Sequence, residues 1–384
     1  MADQNSNQAN TLRLFVIAIF ILLAGVYFFT GSDPLGLFTE PTPTPIPEIV
    51  GGGGDWWHVY FTDPARVNDP SVIQGSIAAK LIDHIDNAQQ SIHIASFEFN
   101  LTPVAEALIA AHERGVDVRW ITDDEHGLEA DEEENHGQFE ILEEAGIPIK
   151  DDHRGALMHN KFWIFDGVTV WTGSTNITKN GNFRNNNNVI VIDSTRLAAI
   201  YEREFEEMWA DEFGPRSPST LGRQTVTVNG TPIRALFAPE DEVVAQLAPL
   251  IKSAQNSIRF MAFSFTHDDL GKAVLDRANA GVEVRGIFET RGSETEYSEL
   301  PRLYCADVPV RQDGNPGTFH HKVFVIDEKI VVTGSLNFSN NADESNDENV
   351  LIITNADIAA QYLKEFEVRW AEAEPPDPAD ISCE

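Results

Sequence analysis

The chain has 384 residues, 61 Asp and Glu against 27 Lys and Arg, a formal net charge of −34 and a hydrophobic fraction of 42%. Roughly two or three domains fit in that length, and the composition excludes a disordered chain or a broadly basic, nucleic-acid-coating surface. Two cysteines, Cys305 and Cys383, exclude a disulfide framework or a multi-cysteine zinc module, and leave a single disulfide optional, Cys383 being expected on a loose tail.

Residues 1–11 read as a short N-terminal tail. Residues 12–31 are apolar almost throughout, and at ~1.5 Å per residue a helix of that length spans about 30 Å, enough to cross a bilayer. A transmembrane anchor is predicted, with Arg13 at its edge placing the N-terminus in the cytoplasm and the remainder outside. A cleaved signal peptide is the alternative, and it would leave the protein secreted; no A-x-A site closes the run. Residues 32–54 end in EPTPTPIPEIVGGGG and read as a linker, stiffened by alternating Thr-Pro and loosened by the glycines.

The rest is written twice. AQQSIHIASFEF at 88–99 corresponds to AQNSIRFMAFSF at 254–265 with an offset of 166, while His159 corresponds to His320 and Trp209 to Trp370 with an offset of 161. A period this long is a duplicated domain, not a solenoid. The domains are set at 55–215 and 222–372, followed by an acidic Pro-rich tail at 373–384. In each copy an amphipathic helix (77–88; 243–254) leads to an apolar strand (91–99; 257–265). A second helix (104–114; 270–280) leads to a second strand (116–122; 282–289). A motif strand, its hairpin partner (168–173; 330–334), a further strand (189–193; 350–354) and a helix ending near Trp209 or Trp370 complete the copy. The predicted fold class is α/β: two tandem domains, each a mixed sheet flanked by helices, packed about a pseudo-two-fold axis.

The chemistry sits in the motif strands. MHNKFWIFD runs from Met158 to Asp166 and HHKVFVID from His320 to Asp327, both fitting H-x-K-x4-D. Residues two apart on a strand share a face, so His159 and Lys161 project together, as do His320 and Lys322. Each motif is followed by G-S-x-N, with Ser174 and Asn176 in one copy and Ser335 and Asn337 in the other. Two imidazoles can serve as nucleophile and general acid, while two lysines and two asparagines can hold phosphate oxygens. No metal-ligand cluster is recognised near the motif, and no metal or other cofactor is needed for this set.

With both H-x-K-x4-D motifs in place, the chain resembles the phospholipase D superfamily from about Asp55 to Glu372. The resemblance implies a two-step displacement at phosphorus through a phosphohistidine. It implies a site of His159, Lys161, Asn176, His320, Lys322 and Asn337, with Asp166 and Asp327 as strand-end supports. Glu348 aligns with Asn187, a position that in similar enzymes orients the histidine of its own half. A carboxylate beside an imidazole raises its pKa. Glu348 is therefore expected on His320, making it the general acid, and Asn187 on His159, leaving it the nucleophile.

Asp123 to Glu134 reads as a solvated acidic loop rimming the cleft. Arg154, Lys179 and Arg184 are candidates for extending phosphate binding, Phe97, Phe99, Phe263 and Phe265 for the core, and Trp56-Trp57 for packing on the first domain. The expected function is a metal-independent phospholipase D acting on a phospholipid and held at the membrane by its own anchor. No protein partner is implied, and a monomer with an intramolecular pseudo-dimer is expected. Single-stranded nucleic acid is a less favoured substrate given the charge, and a transphosphatidylating synthase is a third reading.

Overall fold

The computed structural model describes residues 48–219, 222 and 224–383. The anchor or signal segment at 12–31 lies outside the described residues. Among the described residues no helix is long and apolar enough to cross a membrane.

The first half is an eight-stranded sheet. Its strands are β1 (Val50–Gly53), β2 (Trp57–Phe61), β3 (Ser91–Ser96), β4 (Asp117–Ile121), β5 (Ile149–Lys150), β6 (Lys161–Phe165), β7 (Thr169–Gly173) and β8 (Asn188–Asp193), in the order β1-β2-β8-β7-β6-β3-β4-β5. The second half holds β9 (Thr225–Val228), β10 (Thr231–Ala238), β11 (Ser257–Ala262), β12 (Glu283–Phe288), β13 (Val310–Gln312), β14 (Lys322–Ile326), β15 (Ile330–Gly334) and β16 (Glu348–Thr354). Its order, β13-β12-β11-β14-β15-β16-β10-β9, is the same topology read from the other edge. In each sheet only the β3–β4–β5 and β11–β12–β13 pairings are parallel. These are the strands joined by helical crossovers, α1 (Ile77–Asn87) preceding β3 and α2 (Thr102–Glu113) joining it to β4.

The glycines of the expected linker belong to this sheet. Gly51, Gly52 and Gly53 pair with Tyr60, Val59 and His58, and a Cβ on Gly51 would collide with the Val59 carbonyl. The C-terminal tail is also held: Glu374 bridges Gln312, and Cys383 is bonded to Cys305. Residues 123–134 are not an open loop, since Asp124–Glu129 winds as a π-helix and Ala130–Glu132 as a 3-10 turn.

Burial explains the two-sheet arrangement. One core is shared by the halves, joining Phe162, Ile164 and Ile190 to Val323, Val325 and Leu351. It includes Tyr201 and Phe205 on the long helix Thr195–Trp209, and Tyr362 and Phe366 on its counterpart Ala356–Glu372. Two outer cores lie one in each half, beneath the crossover helices. The β6 and β14 strands are buried along their whole length, as strands covered on both faces must be.

Candidate active site

Two short bridges bring the halves together around the motif strands. Met158 bridges Asp347, and Phe319 bridges Asn186. The His159 N–H donates to the Asp347 carbonyl and the His320 N–H to the Asn186 carbonyl, both at 2.9 Å. The contacts are reciprocal under the 161-residue offset, as a two-fold interface requires. Each histidine therefore enters the site beside the segment that opens the last sheet strand of the other half.

The glycine of each G-S-x-N motif permits this. Gly173 has φ 157° and Gly334 φ 148°, and a Cβ on either would collide with the carbonyl of Asn188 or Asn349 on the neighbouring strand. The close approach positions Ser174 and Ser335. Ser174 Oγ donates to Asn187 Oδ1 at 2.7 Å and accepts from the Asn188 N–H at 3.1 Å. Ser335 Oγ accepts from the Asn349 N–H at 2.9 Å.

The orienting groups cross between halves, contrary to the same-half expectation. His159 Nδ1 lies 2.8 Å from both Glu348 oxygens. His320 Nδ1 lies 2.9 Å from Asn187 Oδ1 and 3.0 Å from the Ser174 carbonyl. Asn187 Nδ2 donates to the Gly181 carbonyl at 2.9 Å, which fixes the amide with its oxygen toward the ring. The crossing follows directly from the Met158–Asp347 and Phe319–Asn186 bridges, because Glu348 and Asn187 are the next residues along. Both rings thus engage Nδ1 with the protein and leave Nε2 for substrate.

Each lysine folds back on its own motif, Lys161 Nζ donating to the His159 carbonyl and Lys322 Nζ to the His320 carbonyl, both at 3.0 Å. Phe97 and Phe263 floor the site and do more than fill core. Phe97 meets the His159 ring at 4.8 Å with Lys161 Nζ 4.9 Å from its centroid, and Phe263 meets His320 at 5.0 Å with Lys322 Nζ at 4.8 Å. An ammonium over a ring face is attracted to it even when desolvated. The duplicated F-x-F pattern was the available signal, and its alternation reads equally as core.

Burial dominates the proton affinities. It pushes both imidazoles well below their ordinary value, helped by the two ammonium groups. It pushes Lys161 down to about 8 against the pull of Glu348, and Lys322 well down as well. Glu348 is pushed up to about 8 by the same burial, opposed by Lys161 and Lys322. Burial thereby moves Glu348 up and His159 down past each other in basicity across a short bond, so that the pair holds one proton between them.

Asn176 and Asn337 follow the two motifs, but their settings differ. Both amide oxygens are buried without a hydrogen-bond partner, but Asn176 Nδ2 donates to Glu98 Oε2 at 2.7 Å, and Ser264 stands where the first half has Glu98. Glu98 opens a cavity of about 450 Å³ lined also by Glu125, Glu133, His126 and His136, with no lysine or arginine in its wall. Asp166 and Asp327 stand at the opposite end of the motif strands. Each accepts from three consecutive backbone N–H groups, those of Gln89, Gln90 and Ser91 or of Gln255, Asn256 and Ser257.

Arg154 does not reach toward phosphate. It donates to Asp347 Oδ2 at 2.5 Å and to the Ser345 carbonyl at 2.6 Å, clamping one half to the other. Arg184 is exposed, and Lys179 opens the short helix Lys179–Phe183. Among the described residues two groups have the composition of a metal site: His93, Glu202 and Glu206, and Asp123, Asp124 and Asp152. The second adjoins the motif, where none was recognised in the sequence, because Asp152 lies far from the acidic run in the chain.

The family described as "Cardiolipin synthase, PLD-like domain" matches residues 81–209 and 247–370. The chain is 37% identical over 135 residues to the mitochondrial cardiolipin hydrolase of Xenopus tropicalis, a match covering 35% of this chain and 64% of that protein. It is 33% identical over 139 residues to a phospholipase D of Rickettsia bellii, covering 36% of this chain and 69% of that one. It therefore spans less than two thirds of the cardiolipin hydrolases it matches. The solved phosphatidylserine synthase of Haemophilus influenzae is similar over 85% of this chain and 88% of its own with a TM-score of 0.61, at 14% identity, a likeness of fold.

Proposed function

Because the chain belongs to the phospholipase D superfamily, we propose that it is a phosphodiesterase that hydrolyses a phospholipid head-group ester, releasing phosphatidic acid and the head-group alcohol. The observation that carries the mechanism is the crossed orientation of two imidazoles, one by a carboxylate and one by two neutral oxygens. Nε2 of His159 attacks phosphorus, and the bond to the head-group oxygen breaks. Nε2–H of His320 delivers its proton to that oxygen. As Nε2 of His159 gains phosphorus its ring becomes cationic, and Glu348 at Nδ1 offsets the charge. His320, held by neutral acceptors, has less stabilisation for its own cation and is the stronger acid. In the second step His320 takes a proton from water, water attacks phosphorus, and the nitrogen–phosphorus bond breaks. Lys161, Lys322, Asn176 and Asn337 hold the non-bridging oxygens. His159 therefore remains the nucleophile, on the opposite ground from the one expected: the carboxylate serves the attacking ring.

The acidic cavity at Glu98 favours a zwitterionic lipid. Its carboxylates suit an ammonium head group and oppose a polyphosphate backbone, as does the net charge of −34. Placement at the membrane, through residues 12–31, belongs to the same proposal. The test is phosphatidic acid release from phosphatidylcholine in mixed micelles by the full chain, with His159→Ala as control. Release that falls at least about a thousandfold in the variant is expected. Cleavage of short single-stranded DNA with no release from lipid overturns the substrate.

A further inference from the structure

A second charged constellation stands behind the first motif and takes no part in the reaction. Asp123 follows β4, Asp124 opens the π-helix, and Asp152 lies between β5 and the motif. One carboxylate oxygen from each lies within 4.8 Å of the other two. Asp123 is 1% exposed and Asp152 5%. Asp123 Oδ2 accepts the Met158 N–H at 3.0 Å, next to His159, and its Oδ1 accepts the His126 N–H at 2.8 Å. Asp152 Oδ1 accepts the Asp124 N–H at 3.3 Å, but its Oδ2 is buried and has no hydrogen-bond partner. Arg154, two residues on, is committed to Asp347 and the Ser345 carbonyl.

The repeat supplies an internal control. At the offsets of 166 and 161, Glu289, Thr290 and Asp313 occupy the places of Asp123, Asp124 and Asp152. Glu289 Oε2 accepts the Phe319 N–H at 2.6 Å, as Asp123 accepts that of Met158. There the resemblance ends. Glu289 Oε1 receives Arg291 Nε at 2.7 Å. Thr290 donates both its N–H, at 3.1 Å, and its hydroxyl, at 3.2 Å, to Asp313 Oδ1, and Asp313 Oδ2 accepts the Asn315 N–H at 2.9 Å. The second half thus sets two carboxylates against one guanidinium with every Asp313 oxygen used. The first half sets three carboxylates together, with Glu125 at the position of Arg291 and His126 Nδ1 3.0 Å from Asp123 Oδ1, while Asp152 Oδ2 has no partner.

Buried carboxylates are stable when paired with a cation. An all-oxygen donor set selects a hard divalent ion, and carboxylates already tied to backbone N–H groups suit the adaptable coordination of calcium better than the strict octahedron of magnesium. We propose that Asp123, Asp124 and Asp152 form a calcium site that buttresses the Met158–His159 segment, the part played in the second half by Arg291.

The full chain, freed of metal with chelator and held in mild detergent at physiological salt, would be titrated with calcium by calorimetry and melted by tryptophan fluorescence. One saturable site per chain is expected, with a melting temperature several degrees higher when it is filled. Asp152→Asn should weaken the affinity at least tenfold without lowering the melting temperature in chelator, since it relieves like-charge repulsion. Glu125→Arg, which copies the second half, should abolish the site and raise the melting temperature in chelator toward that of the calcium-loaded wild type. Absence of saturable binding in the wild type, or binding of equal strength in Asp152→Asn, overturns the proposal.

Discussion

At the scale of single residues, the site turns on which acceptor each imidazole meets. Glu348 faces His159 across 2.8 Å, and Asn187 faces His320 across 2.9 Å. Glu348→Gln keeps a hydrogen-bond acceptor on His159 but removes the charge that, in the proposed mechanism, offsets the attacking ring. It should lower kcat about 10–100-fold and leave KM nearly unchanged, measured by steady-state kinetics. The lysines set a pH limit. Burial lowers Lys161 to about 8, so it is charged below that value and loses its hold on phosphate as pH rises through it. kcat/KM should therefore fall above about pH 8, and Lys161→Arg, whose guanidinium stays charged, should move that limb to higher pH even if its overall rate is lower. The histidines, lysines and asparagines were legible because the motif occurs twice in one register. The crossing was not, since one sequence records that two positions align but not which ring each faces across an interface.

At the scale of elements, the two motif-adjacent bridges hold the site together. Arg154 reinforces one of them, pairing with an Asp347 side chain that is 2% exposed. Replacing it by leucine leaves a buried, unpaired carboxylate and should cost about 3–5 kcal/mol in denaturant unfolding. The equivalence of the helices and central strands could be read from the repeat offsets, because amphipathic helices and apolar strands carry their own periodicity. The outer strands could not. Gly51, Gly52 and Gly53 have no side chains to signal a strand, and only the β2 backbone makes them one. Most carboxylates of the acidic run from Asp123 are exposed, as its composition reads, and among them only Asp123 at its head is buried, through a bond to Met158 that lies distant in sequence.

For the whole molecule, the shared core joining Phe162 and Tyr201 to Leu351 and Tyr362 makes the two repeats one cooperative unit. A single unfolding transition across residues of both halves is expected, and separate transitions in hydrogen exchange would contradict it. The acid excess reaches inside: burial pushes Glu204 well above its ordinary value, and Glu240 up to about 8. Such groups hold protons in the folded chain that the unfolded chain gives up above about 4.5. Their contribution to stability is present below that pH and is lost as pH rises through about 8. Glu240→Gln should accordingly raise the melting temperature by a few degrees at pH 8.5 and change it little at pH 5.

The pseudo-symmetry makes either histidine a formal candidate for the nucleophile, and the crossed carboxylate is the ground on which His159 is proposed. The most direct measurement uses His320→Ala with a nitrophenyl phosphodiester, whose leaving group needs no proton. Attack should proceed while hydrolysis, lacking its base, stalls. Quenching and peptide mass spectrometry should place the phosphoryl adduct on His159, with a burst of one nitrophenolate per chain. An adduct on His320 in the His159→Ala chain, with none in His320→Ala, would contradict the assignment.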